Sequence, residues 1–455
     1  MRSLNRPSRS TSPLPLPLTT ISLITLLALT FAVALFASPA FAAQSREQVV
    51  YSLGGFGNLG LNGALVADKA GNLYGTGNFG NVAPCFCGLV YELSPPATAG
   101  GAWTATMLYA FKGENNGDGA NPYGTLIFDQ QGNLYGTTQA GGTNNSGTVF
   151  ELSPPASAGG SWTETVLYIF PGDGSQGYWP EGNLVFDAQG NLYGTTSMGG
   201  AGTSEICFTG CGTLFQLLPP ATPGGAWTMG AIHSFGVTAG DGMQPANSVI
   251  HRNGAIYGVT LSGGSGSCQY GCGTIYEFVV SNNQFAEQIL YSIEPADNAW
   301  ASFGGVTFDP KGNMYGTTRQ GGNVCAASIY GTCGTVFELS PSISGTGWTF
   351  ATLYSFTGGL DGGNPYDTLL RDDSGNLYGT AEVGGWNNRN SRNNGTVFKL
   401  SPPTASGGAW TETTLHDFTG TANGDGGSPL AGLVEVHNTL FGTATLGADV
   451  FAIAP

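Results

Sequence analysis

Seven copies of one hexapeptide, set at one spacing, limit what this chain can fold into more than any other feature. Gly-Asn-Leu-Tyr-Gly-Thr stands at 71–76, 132–137, 190–195 and 375–380. Variants occupy 254–259, 312–317 and 438–443. The aromatic positions are Tyr74, Tyr135, Tyr193, Tyr257, Tyr315, Tyr378 and Phe441, separated by 61, 58, 64, 58, 63 and 63 residues. A fixed period of this kind marks a repeat architecture.

One repeat can be read at 124–170. Thr125 to Asp129 is a short β-rich run, and Gln130-Gln131-Gly132 is a tight turn. Asn133 to Thr138, Gly147 to Leu152 and Trp162 to Phe170 are three further runs. Each is β-branched and aromatic and is bounded by Gly, Pro, Asn or Asp. No stretch keeps a helical period. The unit is therefore a four-stranded antiparallel meander, which cannot bury both its faces alone. Seven of them packed radially can, and the expected fold is an all-β, seven-bladed β-propeller. A linear β-solenoid is the alternative, but its coils usually take about half this length or less.

The phase of the repeat predicts how the ring closes. Val49 to Leu53 matches the end of a fourth run, and Asp449 to Ile453 matches a third run. The last unit thus lacks its own fourth strand and the N-terminus carries a spare one. Pairing 49–53 beside 449–453 completes seven blades and removes two exposed edges.

Residues 1–42 read as a signal peptide: Arg2, Arg6 and Arg9, an apolar run from Leu14 to Phe36, then Ala40-Phe41-Ala42. Cleavage after Ala42 leaves 43–455 as one propeller domain. An uncleaved membrane anchor is the alternative reading of the same run. No later stretch reaches the roughly 18 apolar residues a membrane span needs. Only 9% of residues are charged and 75 are glycine, yet 41% are hydrophobic, so glycine here punctuates strands rather than marking disorder. Net charge is −16, and more negative without the three leader arginines. That balance argues against nucleic acid as a partner.

Three blocks recur in order: Gly-Asn-Leu-Tyr-Gly-Thr-Thr, Gly-Thr-Val-Phe-Glu-Leu-Ser-Pro-Pro, and Gly-Gly-Ala-Trp-Thr-Glu-Thr-Val-Leu-Tyr. Together they resemble the GloVer (Gloeobacter/Verrucomicrobia-type) tandem repeat over roughly 49–455. The resemblance implies export and a repeat fold, and carries no catalytic residues. A secreted, cell-surface or periplasmic monomer is expected.

In such a meander the first-to-second and third-to-fourth loops share one face, and the second-to-third loops and blade connections share the other. Third-to-fourth loops are nearly constant at nine residues. Second-to-third loops run from nine residues at 138–146 to sixteen at 196–211 and 318–333. Function concentrates on variable loops held by a rigid scaffold, which points to the second face. All eight cysteines fall there. In an exported chain Cys207 with Cys211, Cys268 with Cys272, and Cys325 with Cys333 are expected to pair within their loops. Cys85 and Cys87 remain open between a bridge and free thiols.

Trp103, Trp162, Trp227, Trp348 and Trp410 each open a fourth strand and read as packing residues between blades. Trp179, Trp300 and Trp386 stand outside the repeat on the variable face and are candidate ligand contacts, suited to stacking on sugar rings. Asp118, Asp241 and Asp361 are further candidates, although the Gly-Asp-Gly setting of the first two, and the similar place of Asp361, are also explained by turn geometry. No metal or cofactor site is marked by spacing. His233 and His416 lie on fourth strands, and no serine elbow or zinc-protease motif occurs.

The reading is a non-catalytic binding protein for a carbohydrate or an envelope protein. A polysaccharide hydrolase or lyase using Asp118, Asp241 or Asp361 is one alternative, and a purely structural surface protein is another.

Overall fold

The computed structural model describes residues 47–455, apart from 58, 81–84, 99, 158, 223, 247–248, 282–283, 343–345, 386–393 and 406. The proposed leader and Trp386 lie outside the described residues. Among those described, strands are joined by turns and four single-turn 3-10 segments, with no α-helix.

Seven antiparallel blades follow one another along the chain, one for each repeat, and form a seven-bladed β-propeller; in the fifth, Ala299–Trp300 and Gln320–Gly321 pair as a separate two-stranded sheet. The second, third and fourth strands of blade two are Leu134–Gly141, Thr148–Ser153 and Thr163–Ile169. The first strand differs from its expected span of 125–129. It is split into Gly119–Pro122, which pairs with the upper part of the second strand, and Ile127–Phe128, which pairs with the lower part. Residues 123–126 leave the ladder because the blades crowd at the axis. A Cβ on Gly124 would collide with the backbone of Glu181 and Gly182 in the next blade.

Glu47–Ser52 pairs antiparallel with Asp449–Ile453, with Val49 opposite Phe451 and Tyr51 opposite Val450. The Leu53 amide then donates to Ala448 at 2.8 Å. The two chain ends thus build one blade, as the phase of the repeat predicts, and the edge of the C-terminal strand is covered by the N-terminal one.

The hexapeptide is explained by three contacts. Its second glycine lies beneath the aromatic ring of the third strand. A Cβ on Gly194 would sit 2.7 Å from Phe215 Cζ, and one on Gly136 would sit 2.7 Å from Phe150 Cζ. The same contact recurs between Gly75 and Tyr91, Gly258 and Tyr276, Gly316 and Phe337, Gly379 and Phe398, and Gly442 and Phe451. The tyrosine hydroxyl and the asparagine amide both reach the aspartate of the preceding turn. In blade three, Tyr193 donates to Asp187 at 2.9 Å and Asn191 Nδ2 at 2.7 Å. Burial alone would raise the Asp187 pKa, yet these bonds and the turn amides hold it below the usual carboxylate range. The hexapeptide threonine bonds the next blade, with Thr137 Oγ1 donating to Gly182 O at 3.0 Å and Thr317 Oγ1 to Asp367 O at 3.2 Å. The threonine after it ties the second strand to the third, with Thr138 and Thr148 hydroxyls 2.8 Å apart and Thr318 and Thr335 2.7 Å apart.

The recurrent tryptophans pack across blade boundaries, as expected. Trp103 meets Phe441 at 5.5 Å, Trp162 meets Tyr74 at 6.3 Å and Trp410 meets Tyr315 at 6.1 Å. Such ring pairs add to the burial that holds neighbouring sheets together.

Two blades depart from phenylalanine at the ring above the glycine. Tyr91 and Tyr276 are fully buried, and their hydroxyls have no hydrogen-bond partner. A buried unpaired hydroxyl costs about 1–3 kcal/mol. Tyr91→Phe and Tyr276→Phe restore the ring used by the other five blades. Each is expected to raise unfolding stability by on the order of 1 kcal/mol in a denaturant titration. A loss of stability in both would show that the hydroxyls are satisfied.

Candidate functional site

The propeller presents two unlike faces. One is paved by the Asp-Asn-Tyr turns and the nine-residue loops. Between its blades run grooves of ≈580 Å³, floored by Tyr135, Phe186 and Trp227, and ≈630 Å³, floored by Tyr74, Phe128 and Trp162. The other face carries the second-to-third loops and the blade connections.

The second face is where apolar side chains meet solvent. Thirteen large hydrophobic residues are exposed among the described residues. Phe79, Phe86, Phe208, Tyr270, Val324, Ile329, Tyr330 and Leu446 lie in second-to-third loops, and Trp179, Val237 and Leu360 in blade connections. Met107 and Val279, the other two, lie on strands. Phe208, Val324 and Ile329 are 80%, 88% and 89% exposed. Concentration on one face is unlike the scattered single residues of an ordinary surface.

Disulfides hold these loops. Cys85–Cys87, Cys207–Cys211, Cys268–Cys272 and Cys325–Cys333 are all bonded, so the first pair, left open by the sequence, is also a bridge. Three of the bridges lie against the following blade connection, at Gly113, Gly236 and Gly358. Four disulfides fit an extracellular or periplasmic protein. No helix among the described residues is long and apolar enough to cross a membrane.

The candidate residues divide by position. Trp179 is 39% exposed, has a φ of 59°, and meets Tyr178 edge-on at 5.5 Å. Its place before Pro180 recurs with positive φ at Asn121, Gln244, Asn364 and Ser428, each before a proline, and at Ala301 before Ser302, so the backbone there is set by the repeat. Trp300 is half-buried and donates from Nε1 to Gln320 Oε1 at 2.8 Å. The three aspartates point into the protein. Asp118 accepts from the Lys112 and Gly119 amides at 2.8 and 2.6 Å and from the Tyr109 hydroxyl at 2.8 Å. Asp241 accepts from Gly236 N–H at 2.8 Å, and Asp361 from Thr357 N–H at 2.8 Å. All three are less than a tenth exposed and organise their turns.

The axis was not visible in the sequence. A cavity of ≈280 Å³ is lined by all seven blades, from Ala64, Thr125, Asn183, Val249, Gly305, Thr368 and Gly432 onward. Inter-blade bonds stitch its wall: Thr125 Oγ1 accepts from Ala64 N–H at 2.9 Å, and Thr368 Oγ1 from Gly305 N–H at 2.8 Å. Toward the variable face it narrows to ≈20 Å³ between Asn62, Tyr123, Glu181, Phe303 and Tyr366, room for about one water molecule.

Around that mouth Arg319 bonds Glu382 at 2.6 Å and lies over Phe303, Tyr330 and Tyr366 at 5.2, 4.6 and 5.0 Å. Gln139 Nε2 donates to Glu181 at 2.5 Å, and burial raises the Glu181 pKa. Apart from Tyr330, which lies in a second-to-third loop, these side chains come from two positions of the repeat. One follows the Gly-Thr-Thr of the second strand, and the other precedes the axial glycine. Both vary from unit to unit while their neighbours hold, which is the signal that could have found them.

A third set lies in the seams between outer strands. Tyr109, Tyr291 and Tyr354 donate to Asp118, Asp297 and Asp361 at 2.8, 3.0 and 3.0 Å. The next blade adds a glutamate to some of these seams. Burial first, then Asp118, pushes Glu164 up to about 7. Burial, with a further push from Asp361 and Asp417 against a bond from Thr414, brings Glu412 to about 7.

A bladed ring with one constant and one variable face defines a β-propeller scaffold protein. The chain belongs to the Gloeobacter/Verrucomicrobia repeat family, whose sequence profile matches residues 43–268 and 244–450. No curated protein matches it in sequence. Among solved structures it is similar to a luciferin-regenerating enzyme, at 12% identity and a TM-score of 0.43, over 79% of this chain and 96% of that one. It is also similar to a protein of unknown function from Dyadobacter fermentans, at 12% identity and a TM-score of 0.40, over 89% and 96%.

The seam glutamates predict a pH dependence. Their folded pKa lies above the unfolded value of roughly 4.3, so both states hold the proton below that pH and the stabilising contribution is complete. As pH rises from there to about 7 the unfolded chain ionises first and stability falls. Asp118, Lys112 and Tyr109 face Glu164, and Asp361, Asp417 and Thr414 face Glu412. The double variant Glu164→Gln, Glu412→Gln is expected to melt higher than the parent at pH 7.5 and to lose part of the decline between pH 5 and 7.5. Parallel melting curves across that range would contradict the buried-acid assignment.

Proposed function

We propose that this protein is an exported, non-catalytic binding protein that docks a cell-envelope partner on its variable face. The observation that carries this reading is the gathering of exposed apolar side chains on that face, over loops braced by disulfides. Val324, Ile329 and Phe208 offer no hydrogen bond, so an apolar protein surface is the partner chemistry they suit best. Rigid loops lower the entropy lost on docking.

A glycan is the second reading, favoured by the exposed Trp179 with Tyr178 beside it; Trp300 and Trp386 are further candidate contacts. The polysaccharide-cleaving alternative has less support, because both carboxylate oxygens of Asp118 and Asp361 and Oδ2 of Asp241 are occupied by their own turns.

Retention of purified protein on isolated cell-envelope fractions tests the proposal. Phe208→Ser with Ile329→Ser is expected to cut retention at least roughly tenfold, as loss of interface anchors does. Protease digestion of the envelope should abolish retention. Retention that survives protease but is lost after periodate oxidation, and with Trp179→Ala, would transfer the reading to a glycan. Sugar release during the same incubation would point to catalysis. No effect of either set of variants would overturn the assignment of the face.

A further inference from the structure

The seam between blades three and four departs from the others. Where Tyr51, Tyr109, Tyr168, Tyr291 and Tyr354 stand on other outer strands, this one has His233, a replacement shared only with His416 on blade six. Its Nε2 lies 3.7 Å from Asp241 Oδ2 and 3.7 Å from Glu287 Oε2, too far for hydrogen bonds. His233 Nε2, Asp241 Oδ1 and Glu287 Oε1 are all buried without a hydrogen-bond partner. The Asp241 side chain is only 1% exposed. Buried polar atoms are ordinarily paired, so three orphan atoms on three side chains of one cluster call for a ligand.

Nothing else about the cluster is loose. Gly236 and Val237 amides fix Asp241 Oδ2 at 2.8 and 3.3 Å. Phe235 and Phe278 hold the imidazole at 4.9 and 4.7 Å. One ligand atom from each of the three residues lies within 4.8 Å of the other two.

We propose that His233, Asp241 and Glu287 form a site for one divalent transition-metal ion, with zinc the best fit. Zinc takes imidazole nitrogen together with carboxylate oxygen at about 2.0–2.2 Å, which at the tetrahedral angle places ligand atoms about 3.3–3.6 Å apart. The two 3.7 Å separations from His233 Nε2 are close to that spacing, and the Asp241–Glu287 pair lies within 4.8 Å. Two carboxylates balance the charge of the ion. Calcium and magnesium prefer all-oxygen shells, which this set does not offer. His233 and Glu287 side chains are 20% and 17% exposed, so solvent can supply the fourth ligand. The ligands come from the outer strand of blade three, the following connection and the outer strand of blade four. The ion would therefore clamp two blades. The ligands are 8 and 46 residues apart, which explains why no spacing motif announces them.

His416 provides the internal control. It occupies the equivalent place on blade six but lies 3.0 Å from Asp425 in a direct contact.

The test is calorimetric titration of the metal-stripped protein with zinc alone, alongside thermal melting with and without zinc. One ion per chain and a higher melting temperature are expected. His233→Tyr, which restores the residue of five other blades, should weaken zinc binding at least roughly tenfold, since removing a ligand costs no less than removing its supporting partner. Glu287→Gln should do the same, while His416→Tyr should bind like the parent. Circular dichroism establishes that each variant is folded, and if His233→Tyr is not, Glu287→Gln decides. No zinc binding by the parent, or equal binding by parent and Glu287→Gln, would overturn the proposal. Magnesium titration should give no shift, and an equal shift with magnesium would show only general binding to an acidic surface.

Discussion

Everything in this ring depends on a glycine lying under an aromatic ring. At Gly75, Gly136, Gly194, Gly258, Gly316, Gly379 and Gly442 the second strand has no side chain, and the third-strand ring fills that space. This lets each third-strand ring lie flat in the blade core, where Phe150, Phe215, Phe337 and Phe398 are completely buried. Dense interiors tolerate neither a missing nor an added methyl at such a place. The Tyr-Gly-Thr step therefore recurs because packing requires it, with no need to invoke a ligand.

Once packing is settled by a few positions per blade, others are free to differ. The turn aspartate, the paired threonines and the cross-blade tryptophans are spent on holding the sheets. The second-to-third loops and the residues around the axis carry little of that burden. Their side chains vary from unit to unit, and there the apolar exposure, the disulfides and the Arg319 cluster accumulate. One side of the scaffold is thereby rigid and repetitive while the other is individual.

Much of the fold was legible in the chain. Strand number, blade number and closure by Val49–Leu53 followed from period and phase, because a repeat fixes its own topology. The division into faces followed from loop lengths. Other features depend on contacts between distant residues. The split first strand arises only where blades converge on the axis, as at Gly124 and Gly182. Tyr123, Glu181, Phe303, Arg319 and Tyr366 meet only after the ring is closed. The roles of Asp118, Asp241 and Asp361 were ambiguous in sequence, since a turn aspartate and a surface ligand are spelled alike. Their buried amide bonds decide where those oxygens point.

A double-mutant cycle at Gly194 and Phe215 tests the glycine–ring contact most directly. Gly194→Ala places a methyl group 2.7 Å from Phe215 Cζ and 2.9 Å from Leu184 Cδ2. It should cost about 1–3 kcal/mol, the usual penalty of overpacking. Phe215→Leu removes the ring and leaves a partial cavity at its own cost. If the contact is the constraint described, Gly194→Ala should cost clearly less when combined with Phe215→Leu, with a coupling of about 0.5–3 kcal/mol. Strictly additive losses in denaturant unfolding would contradict the account, because the glycine would then be required for some reason other than the ring above it.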